Sequence, residues 1–195
     1  MLMKIQGCMI HSVRFTAVLD TNVIYPVITR DLLFWFAHYE MYTPKWSKHI
    51  FDEWKDVMLR RGVSSEEIGK RVQKASLAFP DALVKQYEGL IEVLDLPDEK
   101  DRHVLAAAIK TNADLVVSNN IKDFPEKILN SFGIKIKTAD DFLTDLIDLN
   151  GETAIEAFKE MVLNKKNPDL DEYEVLKQLR KNRLTDTAAY LHSLL

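Results

Sequence analysis

Two hydrophobic periods alternate along the chain. Phe15, Ala17, Val18 and Leu19 form a short apolar run that reads as a buried strand stopped by Asp20. "RDLLFWFAHYE" then reads as an apolar-rich helix, and "MYTP" as a short strand that Pro44 should end. Ser47 is placed to cap "SKHIFDEWKDVMLRR", where Ile50, Trp54, Val57 and Met58 make a stripe at helical spacing and Gly62 supplies the stop. Ser64 and Glu67 stand at capping-box spacing before the next helical stretch, and Pro80 is expected to open a further one, "PDALVKQYEGL".

The second half repeats the alternation. "IEVLDL" reads as a strand, and "PDEKDRHVLAAAIKTN" as a helix between Pro97 and Asn112. "ADLVVSN" has the near-continuous apolar character of a strand covered on both faces of a parallel sheet. "FPEKILNSFG" is a short helix closed by Gly133, and the alternating "IKIKTA" is a strand expected at an edge. Strands alternating with helices predict an α/β fold with a central, mainly parallel sheet. After "TADDFLTDLIDLNG" the strand signals stop, and residues 151–195 read as three helices, with Pro168 between the first two and Thr185 or Asp186 as the cap of the third.

Composition narrows the class. The 195 residues are 47% hydrophobic and 29% charged, with a net charge of −4 and a pI near 5.8. That is a globular balance, and it excludes a protein that grips nucleic acid everywhere through bulk charge. A single cysteine, Cys8, allows no internal disulfide and no cysteine-rich zinc site. "MLMKIQGCMIHSVR" is too broken by polar residues for a secretory signal, so Met9 is the expected start and the cytoplasm the expected compartment. No run reaches the roughly 18 to 20 apolar residues of a membrane span.

Against that pattern, the acids fall at informative places, because ligands of an open parallel sheet collect at the carboxyl ends of its strands. Asp20 ends the first strand, with Asn22 two residues on. Asp98 and Asp101 lie one helical turn apart after "IEVLDL". "SNNIKDF" offers Ser118, Asn119, Asn120 and Asp123 after the next strand. Glu53 lies within a helix, flanking Trp54, and can point across a cleft to the same rim. Each position also has an ordinary reading: Asp20 and Asp123 as turn residues, Asp98 and Asp101 as partners of a helix dipole, Glu53 as a solvated helix acid.

Taken in order, these segments resemble the PIN-domain nucleases, especially the VapC-type toxins of prokaryotic toxin–antitoxin pairs. "VLDTNV" is similar to the family's first motif, and "IFDEWKDVM" aligns Glu53 with its second acid. "DEKDRHVLAAAIKTNADLVVSNNIKDFP" resembles the third and fourth motifs, with Asp101 at the third acid and Asn120 and Asp123 in the fourth region. The chain departs from the pattern in having Asn120 where some relatives place an acid, and in duplicating Asp101 with Asp98. The resemblance implies a PIN-like three-layer nuclease domain over residues 14–140, followed by a helical C-terminal extension over 141–195.

The resemblance also implies hydrolysis of RNA phosphodiesters, an antitoxin protein as partner and a homodimer. Carboxylates and amides are hard oxygen donors suited to Mg²⁺ or Mn²⁺, and the five histidines form no zinc spacing. Asp20 and Asp101 are the expected primary metal ligands. Glu53, Asp98 and Asp123 would serve a second metal position or act through water, while Asn22, Ser118 and Asn120 would hold acids or water in place. From Lys45 to Lys74, eight lysines and arginines stand against five acids, a local source of phosphate contacts or else two solvated helix faces. Trp46 is a candidate for base stacking, while Trp54 fits the core better. The rival readings are an aspartyl-phosphate phosphotransferase, for which Asn22 stands where a second carboxylate is wanted, and a catalytically silent PIN-like binding module.

Overall fold

The computed structural model of the chain describes residues 15–166 and 168–195. Cys8 and the choice between Met1 and Met9 lie outside the described residues. Strand β1 (Thr16–Leu19) leads through α1 (Thr21–Ile24) and α2 (Val27–His38) to β2 (Thr43–Ser47). Helices α3 (Lys48–Arg60) and α4 (Ser65–Ala78) precede the two-residue β3 (Leu83–Val84). After α5 (Glu88–Ile91), a 3-10 turn at Glu99–Asp101 runs into α6 (Arg102–Lys110) and β4 (Leu115–Val117). The sheet is completed through α7 (Glu126–Asn130) and β5 (Lys135–Lys137). Four helices follow: α8 (Ala139–Leu149), α9 (Gly151–Leu163), α10 (Glu172–Lys181) and α11 (Thr185–Leu194).

All four strand pairings are parallel, in the order β3-β2-β1-β4-β5. The chain winds outward from β1 to β3, then returns to lay β4 on the other side of β1. The carboxyl ends of β1 and β4 therefore flank the point where winding reverses, the place where such sheets open a crevice. The all-apolar centre of β1 and β4 is buried on both faces, and β5 is the edge that its alternation predicted.

Three local readings are corrected. Pro44 does not end β2 but lies inside it, paired in register with Ala17. Its missing N–H would face the β3 side, where β3 reaches only Trp46 and Ser47, so no ladder bond is lost. "PDALVKQYEGL" is not one helix: Pro80 opens a turn, Leu83 and Val84 pair with β2, and a left-handed Gln86 (φ 59°) turns the chain away. "IEVLDL" is not a strand of the sheet. Ile91 ends α5, Glu92 and Val93 turn, and Leu94 and Leu96 are buried with no ladder partner among the described residues.

The capping signals fare better. Ser47 Oγ accepts the Ile50 N–H at 3.2 Å, and Gly62 and Gly133 adopt the left-handed φ their stops require. Ser64 caps α4 through Glu67 N, while the Glu67 carboxylate takes Arg71 rather than closing the box. Neither Thr185 nor Asp186 caps α11. Its first turn is capped from another helix: the Asp140 carboxylate accepts the N–H groups of Asp186 (3.1 Å) and Thr187 (2.8 Å) and the Thr187 hydroxyl (2.6 Å). Helix α9 packs on α2 and α11 on α8, so the C-terminal helices join the core that covers the sheet.

Candidate functional site

Asp20 is the residue on which the crevice converges. Its backbone N–H donates to Val117 O at 3.0 Å, extending the β1–β4 ladder by one bond and placing the side chain at the strand exit. The carboxylate accepts from the Thr21 N–H (2.6 Å), the Asn22 amide (2.5 Å) and the Ser118 hydroxyl (2.7 Å). Ser118 Oγ in turn accepts from Asn22 Nδ2 (2.9 Å) and from the Asn120 N–H (3.1 Å). Asn22 and Ser118 thus contact the carboxylate directly, while Asn120 reaches Ser118 through its backbone N–H and Asp123 through its side-chain amide. Asp20 also acts as the N-cap of α1, so the cap and site readings describe the same carboxylate.

Glu53 reaches this rim from α3. One carboxylate oxygen accepts from the Thr21 hydroxyl, and the other accepts from His103 Nε2 at 3.1 Å. His103 is itself buried, with Nδ1 lying 3.5 Å from Ser47 Oγ and its ring stacked on His49 at 5.3 Å. His49 Nδ1 meets the Tyr87 hydroxyl at 2.5 Å. Of the buried polar or charged residues among those described, Asp20, Ser47, His103 and Ser118 all belong to this one network. Thr21 and His103 were not singled out by sequence reasoning. The available signal was a histidine inside "DRHVLAAAI", an otherwise apolar helix face.

Asp101 and Asp98 arrive from the 3-10 turn and the amino end of α6, near the helix start where the sequence placed them, but residues 91–96 before it form no strand. Asp98 is exposed and accepts the Lys100 N–H at 2.9 Å, which fixes the 3-10 turn. Asp101, half-buried at the helix start, makes no such cap bond. Asp123 accepts from the Asn120 side-chain amide in the turn after β4.

The charges do not settle comfortably. Burial pushes the Asp101 carboxyl up, and the neighbouring charges of Asp20, Asp98 and Asp123 carry it to about 7. Asp101 is therefore near enough to each of the other three carboxylates to feel its charge. Burial also raises Asp20, with the Glu53 charge adding to it, against the opposing bonds from Ser118 and Thr21. For Glu53 the burial effect is outweighed by the His103 and Thr21 hydrogen bonds and the His103 and His49 rings, leaving it below its ordinary value.

This oxygen-rich donor set fits a hard dication, whose charge would relieve the repulsion at Asp101. Among the described residues no group of three or more His, Cys, Asp or Glu side chains forms a ready-made cage. A dication here would draw further ligands from water and phosphate, as Mg²⁺ commonly does.

The proposed RNA-binding features between Lys45 and Lys74 look different in place. Lys48 and Lys55 pair with Asp52, Lys70 with Glu66 and Arg71 with Glu67, all along their own helices. Trp46 is fully buried, stacked on Phe51 at 5.2 Å and packed against Phe34 and Phe79, so it offers no face for base stacking. Its position in the interior strand β2, facing α2 and α4, explains the burial. Trp54 is core, as expected.

Comparison with known proteins agrees with the geometry. A curated protein of Mycobacterium tuberculosis named "Putative ribonuclease VapC50" is 38% identical over 96 residues, 47% of this chain and 56% of that relative. The chain thus spans little more than half the length of this relative. No solved structure gives a significant match. The family described as VapC50 C-terminal domain matches residues 139–193, and the PIN domain family matches residues 16–122. With more than half of its length matched in this way, the chain belongs to the PIN-domain family.

Proposed function

We propose that this protein is a divalent-metal-dependent endoribonuclease that hydrolyses RNA phosphodiester bonds, and that it is the toxin of a type II toxin–antitoxin pair. The observation that carries the reading is the placement of Asp20 at the β1–β4 crevice, held by Asn22 and Ser118 and joined through Thr21 to Glu53, with the Asp101 carboxyl raised by burial and by the charges of Asp20, Asp98 and Asp123. Membership of the PIN-domain family and the ribonuclease name of the mycobacterial relative support it.

Asp20 and Asp101 would hold Mg²⁺ or Mn²⁺, with Glu53, Asp98 and Asp123 serving a second position or acting through water. When bound, the ion supplies Lewis-acid polarisation of the phosphate and acidifies water. The chain's own residues orient. Asn22 and Ser118 fix Asp20, and the Asn120 N–H fixes Ser118. Glu53, kept anionic and clamped from both sides, positions a water rather than storing a proton. Residues 14–140 form the catalytic unit and 141–195 an extension that buttresses it. The protein would act in the cytoplasm as a homodimer, silenced by a protein antitoxin that covers the acidic rim.

The test is cleavage of total RNA with mapped ends. Activity should need Mg²⁺ or Mn²⁺ and stop with EDTA, and Asp20→Asn or Asp101→Asn should lower it about 100-fold or more with the fold intact. Variants that cleave as fast as the parent overturn the assignment. A protein that binds RNA with either metal yet never cuts it is the silent binding module instead.

A further inference from the structure

Away from the acidic rim, and sharing no residue with it, α2, α3 and α4 border a cavity of about 570 Å³, within the roughly 300–1,000 Å³ usual for small-molecule sites. Its walls include Phe34, Trp35 and Phe79, and its charged lining is Arg30, Arg71 and Lys74 against one carboxylate, Asp31. That carboxylate is already shared, at 3.2 Å from Arg30 Nη2 and 2.8 Å from Lys165 Nζ. Arg30 is largely buried, its guanidinium 5.3 Å above the Trp54 ring. Burial lowers its pKa, Asp31 opposes this, and the charge of Arg71 adds to the lowering, so the two guanidiniums repel each other across the cavity wall. Arg71 pairs with the half-exposed Glu67 and also donates to Met58 Sδ at 4.0 Å, and Lys74 has no ion pair among the described residues.

A second cavity shares Arg30, Trp54 and Arg71 with the first and runs toward Tyr25 and Arg61, where the Arg61 guanidinium lies 5.3 Å over the Tyr25 ring. Tyr25 closes α1, the short helix that Asp20 opens. A cationic, ring-lined groove therefore begins one short helix away from the acids.

We propose that this groove binds a nucleotide unit, with its phosphate held by Arg71 and Lys74 and its base set against the aromatic wall. A surplus of cations calls for an anion, and flat aromatic walls favour a ligand that also carries a ring. A free nucleotide and one nucleotide of an RNA strand share this chemistry; the strand source alone rests on the ribonuclease reading.

The test is tryptophan fluorescence of the full chain in EDTA, since two of its three tryptophans line the cavity. The titrants are adenosine 5′-monophosphate, inorganic phosphate, a single-stranded RNA decamer and a decameric polyglutamate peptide. Because the monophosphate has no internucleotide bond, its result stands whether or not the chain cuts RNA. A saturable change is expected with the monophosphate, with phosphate alone binding about 10-fold more weakly. Arg71→Glu with Lys74→Glu should weaken the monophosphate at least about 10-fold with an unchanged circular dichroism spectrum. Arg71→Gln with Lys74→Gln replaces that pair if it fails to fold. A decamer that binds more tightly than the monophosphate identifies an RNA strand, and equal affinity identifies the free nucleotide. No saturable change at millimolar monophosphate, undiminished binding by the variants, or phosphate binding as well as the monophosphate overturns the proposal. Tighter binding of the peptide than of the RNA also overturns it and assigns the groove to an acidic protein partner.

Discussion

A buried imidazole sets the orientation of Glu53, and its removal tests whether orientation matters. With His103 Nε2 donating at 3.1 Å and Thr21 donating from the other side, the carboxylate has little rotational freedom. His103→Ala should lower the cleavage rate about 10- to 100-fold with KM little changed. His103→Gln, which keeps a donor, should recover part of it. Equal losses from both, read in single-turnover cleavage, would mean that the ring only packs. Asp101 behaves in the opposite sense, because its charge is a cost of the metal-free fold. Its folded pKa of about 7 exceeds the ordinary 3.8, so the native state binds more protons than the unfolded chain between those values. Stability from this group is therefore full below about pH 4 and lost as pH rises through about 7. Asp101→Asn should stabilise the metal-free protein at pH 8 by roughly 2–4 °C, the shift of about 1 kcal/mol in a chain of this size after discounting for solvent screening. At pH 4 the gain should vanish. A melting temperature that falls at pH 8 refutes the repulsion at the rim.

At the scale of elements, the C-terminal helices depend on caps that only tertiary structure supplies. Helix α11 starts at Leu184 without a side-chain cap of its own, and Asp140 of α8 fills the role with three hydrogen bonds. Asp140→Ala should cost about 1–2 kcal/mol, measured by urea unfolding, and Asp140→Asn less. At the residue before Asp140, Asn119 joins α8 to the rim: its N–H donates to Asn22 Oδ1 at 2.9 Å and its side-chain oxygen accepts the Ala139 N–H at 3.2 Å. What was legible in the sequence follows from the same distinction between local and distant causes. Strands β1 and β4 announced themselves because a strand buried on both faces has nowhere to put a polar residue. Ser47 announced α3 because its partner is three residues away. The pairing of Leu83 and Val84 with β2 was hidden, since two residues carry no period, and the alternating "IEVLDL" imitated a strand while packing outside the sheet. His103 was hidden because its partners, Glu53 and Ser47, lie 50 and 56 residues away. The acids were legible as candidates by their placement, but Asp98 and Asp101 come from a helix start that the sequence pattern placed after a strand that does not exist.

Across the whole molecule, one hydrophobic core ties the sheet to the C-terminal helices. Phe158 and Met161 of α9 are buried together with Leu32, Leu33 and Phe36 of α2, and Phe142 of α8 meets Tyr42 edge-on at 4.9 Å. Tyr42, fully buried, donates its hydroxyl to Leu33 O at 3.0 Å, so the residue that receives α8 is itself fixed to α2. Residues that share a core lose it together, because exposing one face leaves the other without cover. The chain should therefore unfold in a single transition despite its two family matches. All three tryptophans, Trp35, Trp46 and Trp54, report on the first part of the chain, while hydrogen exchange at Ala188 and Leu191 reports on α11. The free energies from tryptophan fluorescence and from exchange should agree within about 1 kcal/mol. A lower value at α11 would make the terminal helices a separately opening unit. Asp140→Ala would then loosen α11 and leave the tryptophan transition in place, whereas a shared core moves both by the same amount.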